Sequence, residues 1–192
     1  AAFRMRFGIM ADAPLIIAAS THRGEEKWIL EAFKEIWKSG LEQLPRLMIA
    51  PRHPERFDEV AEMIKETGFE WVRRSESEST RDKTAEVILL DSIGELRSAY
   101  PLAEIVFVGG SLIPHGGQSI FEPAASGRAI VTGPNTSNFA DAVTEFLSKD
   151  ALVQLVVADE SNVVLTLTDT FCDLLRSDEK RKMLGSNALA VM

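Results

Sequence analysis

Residues 15–40 read LIIAASTHRGEEKWILEAFKEIWKSG. The short apolar run Leu15-Ile16-Ile17-Ala18-Ala19 has the length and composition of a buried strand, and the polar Ser20, Thr21 and His22 follow it directly. From Glu25 to Lys38 the residues Ile29, Ala32, Phe33, Ile36 and Trp37 recur at helical spacing, and Gly40 just beyond suits the stop. Ser20 or Thr21 is the expected start of the helical turn. Strand, polar turn and amphipathic helix make one βα unit, which packs only when its neighbours repeat it as a parallel sheet covered by helices.

The unit does repeat. An apolar run at 46–50 enters Pro51-Arg52-His53-Pro54, and a helix over 55–67 ends at Gly68. A strand is expected at 69–73, then a solvated loop over 75–83, where the polar residues show no period. Further strands fall at 86–90, 105–108, 129–132 and 152–157. Helices are expected at 94–100, from Ser119 onward, and at 139–147, 161–175 and 178–190, with Ser177 capping the last. The fold class is therefore α/β: a Rossmann-like parallel sheet with helices on both faces.

The length of 192 residues fits one domain of ordinary size, near the ~150 typical of the class. Hydrophobic residues at 45% and charged residues at 26% match a globular chain, and no apolar run near the start is long enough to cross a bilayer. Twenty-one Lys and Arg against 29 Asp and Glu leave a charge of −8, which argues against a nucleic-acid partner. Cys172 is the single cysteine, so neither an internal disulfide nor a multi-thiol zinc site is available.

In such a sheet ligands sit beyond the carboxyl ends of the strands. The loops that fall there are Ser20-Thr21-His22, Pro51-Arg52-His53, Gly94-Glu95, Gly109-Gly110-Ser111, Gly116-Gly117-Gln118-Ser119 and Gly133-Pro134. Gly116-Gly117 before a helix at Ser119 reads as a phosphate cradle, because glycine lets backbone approach closely and helix-start N–H groups favour an anion. Glu122, in the first turn of that helix, can accept from the vicinal hydroxyls of a ribose or can serve as a dipole-stabilising acid. Arg52 either aims at a phosphate or carboxylate or pairs with Glu55 or Glu59. His22, His53 and His115 share the rim, but their spacing fits no helical metal motif, so no metal site is expected. G-x-S-x-G, G-x-G-x-x-G and Walker patterns are absent from the sequence.

Read in order, these loops resemble the 3-deoxy-D-manno-octulosonic acid (Kdo) transferases of Gram-negative lipopolysaccharide synthesis. The matching pieces are Ala19-Ser20-Thr21-His22 with Gly24-Glu25-Glu26, Pro51-Arg52-His53-Pro54-Glu55-Arg56-Phe57, and Gly94-Glu95-Leu96 with Tyr100. They continue with Phe107-Val108-Gly109-Gly110-Ser111-Leu112, Gly116-Gly117, Glu122-Pro123-Ala124, and Gly133-Pro134 with Asn138-Phe139. One departure stands out: the family has His-Asn where this chain has Gln118-Ser119.

The resemblance implies the C-terminal, donor-binding half of a two-domain GT-B glycosyltransferase, residues 1–192 forming that one domain without the N-terminal acceptor domain. It implies transfer of Kdo from CMP-Kdo to a lipid A precursor, with inversion and CMP as leaving group. It further implies a general base in the other half, no cofactor, and a full-length enzyme at the cytoplasmic face of the inner membrane. The donor-binding residues it implies are Ser20, Thr21, Arg52, His53, Gly94, Glu95, Leu96, Gly109, Gly110, Ser111, Gly116, Gly117, Gln118, Ser119, Glu122 and Asn138. Two other readings remain open at this stage: a GT-B-like enzyme of a uridine nucleotide, and a non-enzymatic Rossmann-like binding module.

Overall fold

The computed structural model describes residues 2–9 and 13–192. Helix α1 (Ala2–Phe7) is followed by β1 (Leu15–Thr21), α2 (Glu25–Lys38) and β2 (Arg46–Pro51). A 3-10 turn at Pro54–Arg56 opens α3 (Phe57–Glu66), and β3 (Trp71–Arg73) and β4 (Val87–Leu89) come next. The second half runs α4 (Leu96–Ala99), β5 (Ile105–Val108), α5 (Phe121–Ala125), β6 (Ala129–Thr132), α6 (Ala140–Ser148) and β7 (Val153–Gln154). Two helices, α7 (Val163–Arg176) and α8 (Asp178–Val191), end it.

All seven strands pair in parallel, in the order β3-β4-β2-β1-β5-β6-β7. Burial on both faces explains why the strands read as unbroken apolar runs instead of alternating ones. In β1, Ile16 and Ala18 join one core layer with Ile29, Phe33 and Ile36 of α2, while Leu15, Ile17 and Ala19 join the other with Phe7, Val143 and Phe146. The chain starts in the centre at β1, winds to one edge, then returns beside β1 as β5 and winds to the other. Helix α2, after β1, packs in the first layer, and α5, after β5, packs in the second. The loops leaving β1 and β5 therefore part to opposite faces, and such a switch point opens a crevice.

Three local expectations change. Neither Ser20 nor Thr21 starts α2: both belong to β1, where Ser20 takes a positive φ of 53° and shifts the register with β2, and Gly24 precedes the helix. The helix expected from Ser119 begins at Phe121 and has five residues, because residues 111–115 form a turn and the left-handed Gly116 and Gly117 that follow carry an irregular segment as far as Ile120.

The polar stretch 75–83 is not simply solvated. Its end forms a 3-10 turn, Thr80–Lys83, closed by a reciprocal Ser79–Asp82 capping box. Asp82 is buried and ion-paired to Arg6 of α1 at 2.8 Å, and the same guanidinium donates to the carbonyls of Arg73, Arg74 and Glu76. Arg46 donates to the carbonyls of Phe7, Asp82 and Ala85. Burial alone would raise the Asp82 carboxyl, but Arg6 and Ser79 hold it below the usual carboxylate range.

Ser177 caps α8 as expected, its hydroxyl accepting from the Lys180 N–H at 3.2 Å. Ser177→Ala is expected to cost about 1 kcal/mol, read as a fall of about 2–4 °C in Tm by calorimetry. An unchanged Tm would show that the cap contributes nothing.

Candidate functional site

The rim at the carboxyl ends of β1 and β5 is organised by a residue absent from the sequence-based binding set. Glu25, the first residue of α2, is fully buried, and its carboxylate accepts four backbone N–H groups: His22 (2.8 Å), Gly110 (2.7 Å), Ser111 (3.0 Å) and Leu112 (3.0 Å). Burial pushes its pKa up, and the four N–H bonds pull the other way. One side chain thus ties the loop after β1 to the loop after β5. Glu26 is the second buried acid of that turn; it accepts from the Thr21 hydroxyl at 2.9 Å and from the Arg56 guanidinium through both carboxylate oxygens.

Several expected binding residues turn out to hold the rim in shape. Gly109 passes so close to β1 that a Cβ would lie 2.5 Å from the Ser20 carbonyl oxygen. The Gly110 and Ser111 N–H groups are committed to Glu25. The buried Ser111 hydroxyl donates to the Val108 carbonyl and accepts from the Gly133 N–H. Gly117 and Gln118 donate their N–H groups to the carbonyls of Gly110 and Gly109, so two donors of the expected phosphate cradle are used inside the loop. Asn138 braces the same loop, donating from its side chain to the His115 and Gly117 carbonyls and from its N–H to Gly116. Glycine is required at 116, where φ is +99° and a Cβ would lie 2.7 Å from the Asn138 amide.

Other residues keep free chemistry. Arg52 is exposed and has no ion pair among the described residues, because Glu59 is taken by Arg56 and Arg23. With Ser20, Pro51, Gly94, Ile93 and Leu96 it lines a cavity of about 150 Å³. Glu95, beside that cavity, is paired with Arg74 at 2.8 Å and accepts from the Ser92 hydroxyl. Glu122 is exposed and its carboxylate has no partner among the described residues, while Ser119 is exposed on the same loop. A second cavity of about 450 Å³ lies against His115, Gly116, Asn135 and Thr136. A larger cavity, about 720 Å³, lies beside Pro14 and Glu104 at the amino ends of the strands, away from the switch point where such sheets bind ligands.

The three histidines converge. The His22 ring lies 4.1 Å from His115 and 5.2 Å from His53, centroid to centroid. Burial, followed by the charges of His115, His53, Arg56 and Arg52, lowers the His22 pKa to about 4, so it is neutral at pH 7. Among the described residues no group of three His, Cys, Asp or Glu is placed to hold a metal ion. Rim position was the only sequence signal for His115; His22 and Glu25 also lay within a stretch that carried the family resemblance, but nothing local marked Glu25 as the hub.

The doubly wound parallel sheet, with its polar loops gathered at the β1/β5 switch point, matches the C-terminal Rossmann-like domains of GT-B glycosyltransferases. The C-terminal domain of a group 1 glycosyl transferase from Francisella tularensis superposes with a TM-score of 0.61 at 14% identity, over 98% of this chain and 89% of that one, a likeness of fold alone. The crystal structure of the C-terminal CMP-Kdo binding domain of WaaA from Acinetobacter baumannii matches far better, with a TM-score of 0.86 at 33% identity over 99% of this chain and 94% of that one. The chain belongs to the 3-deoxy-D-manno-octulosonic acid transferase family. The transferase of Haemophilus influenzae is 37% identical over 94% of this chain, and that of Bordetella pertussis 32% identical over 92%. The chain spans 40% of the length of each of these two relatives. No family model matches the sequence.

Proposed function

We propose that residues 1–192 are the donor-nucleotide domain of an inverting glycosyltransferase that moves Kdo from CMP-Kdo to a lipid A precursor. The observation that carries this reading is the near-complete match to a CMP-Kdo binding domain, joined to a rim whose free charges, Arg52 and Glu122, suit the donor. In this reading Glu122 accepts from the ribose hydroxyls, Arg52 and the 116–119 loop face the phosphate, and Ser20, Gly94 and Leu96 border the nucleotide. Preorganised positive charge would stabilise the departing CMP without a cofactor. The acceptor and the general base belong to the other half of the enzyme, whose working place is the cytoplasmic face of the inner membrane. Among the described residues no helix is long and apolar enough to cross it.

Titration of the chain with CMP, UMP and UDP, followed by backbone amide shifts, tests the reading. Selective CMP shifts at Gly116, Gly117 and Glu122 are expected; preference for UDP, or silence from all three, would overturn it. Glu122→Gln is expected to weaken CMP binding about tenfold, the loss of one charged hydrogen-bond acceptor, with the fold unchanged. Equal affinity of the variant and the parent chain would remove the ribose assignment.

A further inference from the structure

Between His22 and His115 lies the Gln118 carboxamide, its Nε2 3.0 Å from His22 Nε2 and 3.2 Å from His115 Nε2. One atom serves two ring nitrogens. An amide nitrogen carries two hydrogens and accepts none, so with this atom inward both Nε2 atoms are bare acceptors and each neutral ring carries its hydrogen on Nδ1. Turned half a revolution, the amide presents Oε1, whose two lone pairs accept from two Nε2–H groups. Neither imidazole can change state alone without losing a hydrogen bond to Gln118.

The charged surroundings set which state the empty site takes. Arg52, Arg56 and His53 face His22 from the segment after β2, and His115 faces it from the loop after β5. Glu25, the nearest acid on its own segment, is committed to four N–H groups. Glu26 and Glu59 are paired with Arg56, and Glu55 stands 3.7 Å from His53. Among the described residues no unpaired carboxylate faces His22 to compensate a proton on it.

We propose that Gln118 is a positioning residue that ties His22 and His115 to one hydrogen-bonding state, amide nitrogen inward when the site is empty, and that a phosphomonoester bound against the pair draws a solvent proton onto it and turns the amide oxygen inward. The ligand half rests on the donor-site reading above; the tautomer half does not. The free His22 pKa of about 4 fixes the sign. Below it the ring is already charged and binding takes up nothing. Above it, and until the raised pKa of the complex is passed, each bound phosphate brings up to one proton, and affinity falls as much as tenfold per pH unit on going up.

Imidazole nitrogen NMR on the unliganded chain reads the tautomers directly. Nδ1–H on both rings is expected for the native residue. Gln118→Glu, which can only accept, should move both rings to Nε2–H and raise the His22 titration by about one unit or more. Gln118→Met, which cannot donate and accepts only weakly, should release the tautomers. Nε2–H rings in the native chain, or identical spectra in all three, overturn the lock. Calorimetry with CMP and, separately, inorganic phosphate from about pH 6 to 7.5, in buffers of different ionisation enthalpy and with the proton that each free phosphate gives up on binding as a dianion added back, counts the proton drawn onto the histidines. Corrected uptake approaching one at the acid end is expected for the native chain and less than half of that for Gln118→Glu. CMP binding without uptake overturns the coupling and leaves the donor site standing. Absence of CMP binding at every pH overturns the donor-site reading, and the unliganded tautomers still decide the lock.

Discussion

Glu25→Ala should lower the stability of the fold by about 4 kcal/mol and loosen the rim, because it strips four buried N–H groups of one shared acceptor. A hydrogen bond to a charged group contributes about 1.5–3 kcal/mol, and a buried donor left without a partner costs about 1–3 kcal/mol. The four losses do not simply add, since water entering the vacated space recovers part of them. Against a typical total of about 5–15 kcal/mol, the variant sits near the edge of folding. Urea unfolding gives the stability loss, and amide shifts of Gly110, Ser111 and Leu112 locate it. Glu25→Gln separates shape from charge: its NH₂ would face N–H groups, so a loss of about 2 kcal/mol or more is expected even with volume conserved. A Glu25→Ala chain within about 1 kcal/mol of the parent would show that the carboxylate is not the hub.

Gly133→Ala is expected to destabilise by about 3 kcal/mol for a purely steric reason. The added Cβ would lie 2.2 Å from the Ser111 carbonyl oxygen, 2.5 Å from its carbon and 2.8 Å from the Leu112 nitrogen. All three are backbone atoms, so no side chain can rotate away. The displaced segment also carries the Ser111 hydroxyl that receives the Gly133 N–H, and the Ser111 carbonyl that receives the Asn135 N–H. Gly40→Ala is the control: φ there is +73° with nothing within 4 Å of the new carbon, so only the left-handed backbone cost of about 1–2 kcal/mol applies. Equal losses at the two positions would mean that crowding against the 111–112 segment is not the cause.

The sheet and its working end were legible because the strand-turn-helix unit of residues 15–40, with Ile29, Ala32, Phe33 and Ile36 marking the buried face of α2, recurs along the chain, and the strand-end rule then places the ligand rim. Individual roles within the rim were not legible. Gly110 and Ser111 looked like ligand groups because their partner, Glu25, lies 85 and 86 positions away in the chain and reads locally as a dipole-stabilising acid in a first helical turn. Asp82 was hidden in part in the same way: the Ser79-x-x-Asp82 capping box is a local pattern, but nothing near it in sequence announces the ion pair with Arg6. The Ser119 helix start was misplaced because capping statistics favour serine, whereas the hydrogen bonds from Gly117 and Gln118 to the 109–110 carbonyls hold the chain out of helix until Ile120. Pairing beyond the local helix period overrode a local preference at Glu25, at Arg6–Asp82 and in the 109–118 loop.

The Glu25 knot also bears on how the chain acquires its working end. Loop-closure entropy has to be met before its bonds to Gly110, Ser111 and Leu112 return anything, and those bonds require the central β1 and β5 strands to be already side by side. A chain that has formed only its first three strands holds the helix and the carboxylate but has no rim. Nucleotide bound there would engage the finished fold and none of its precursors, so occupancy and global stability rise together.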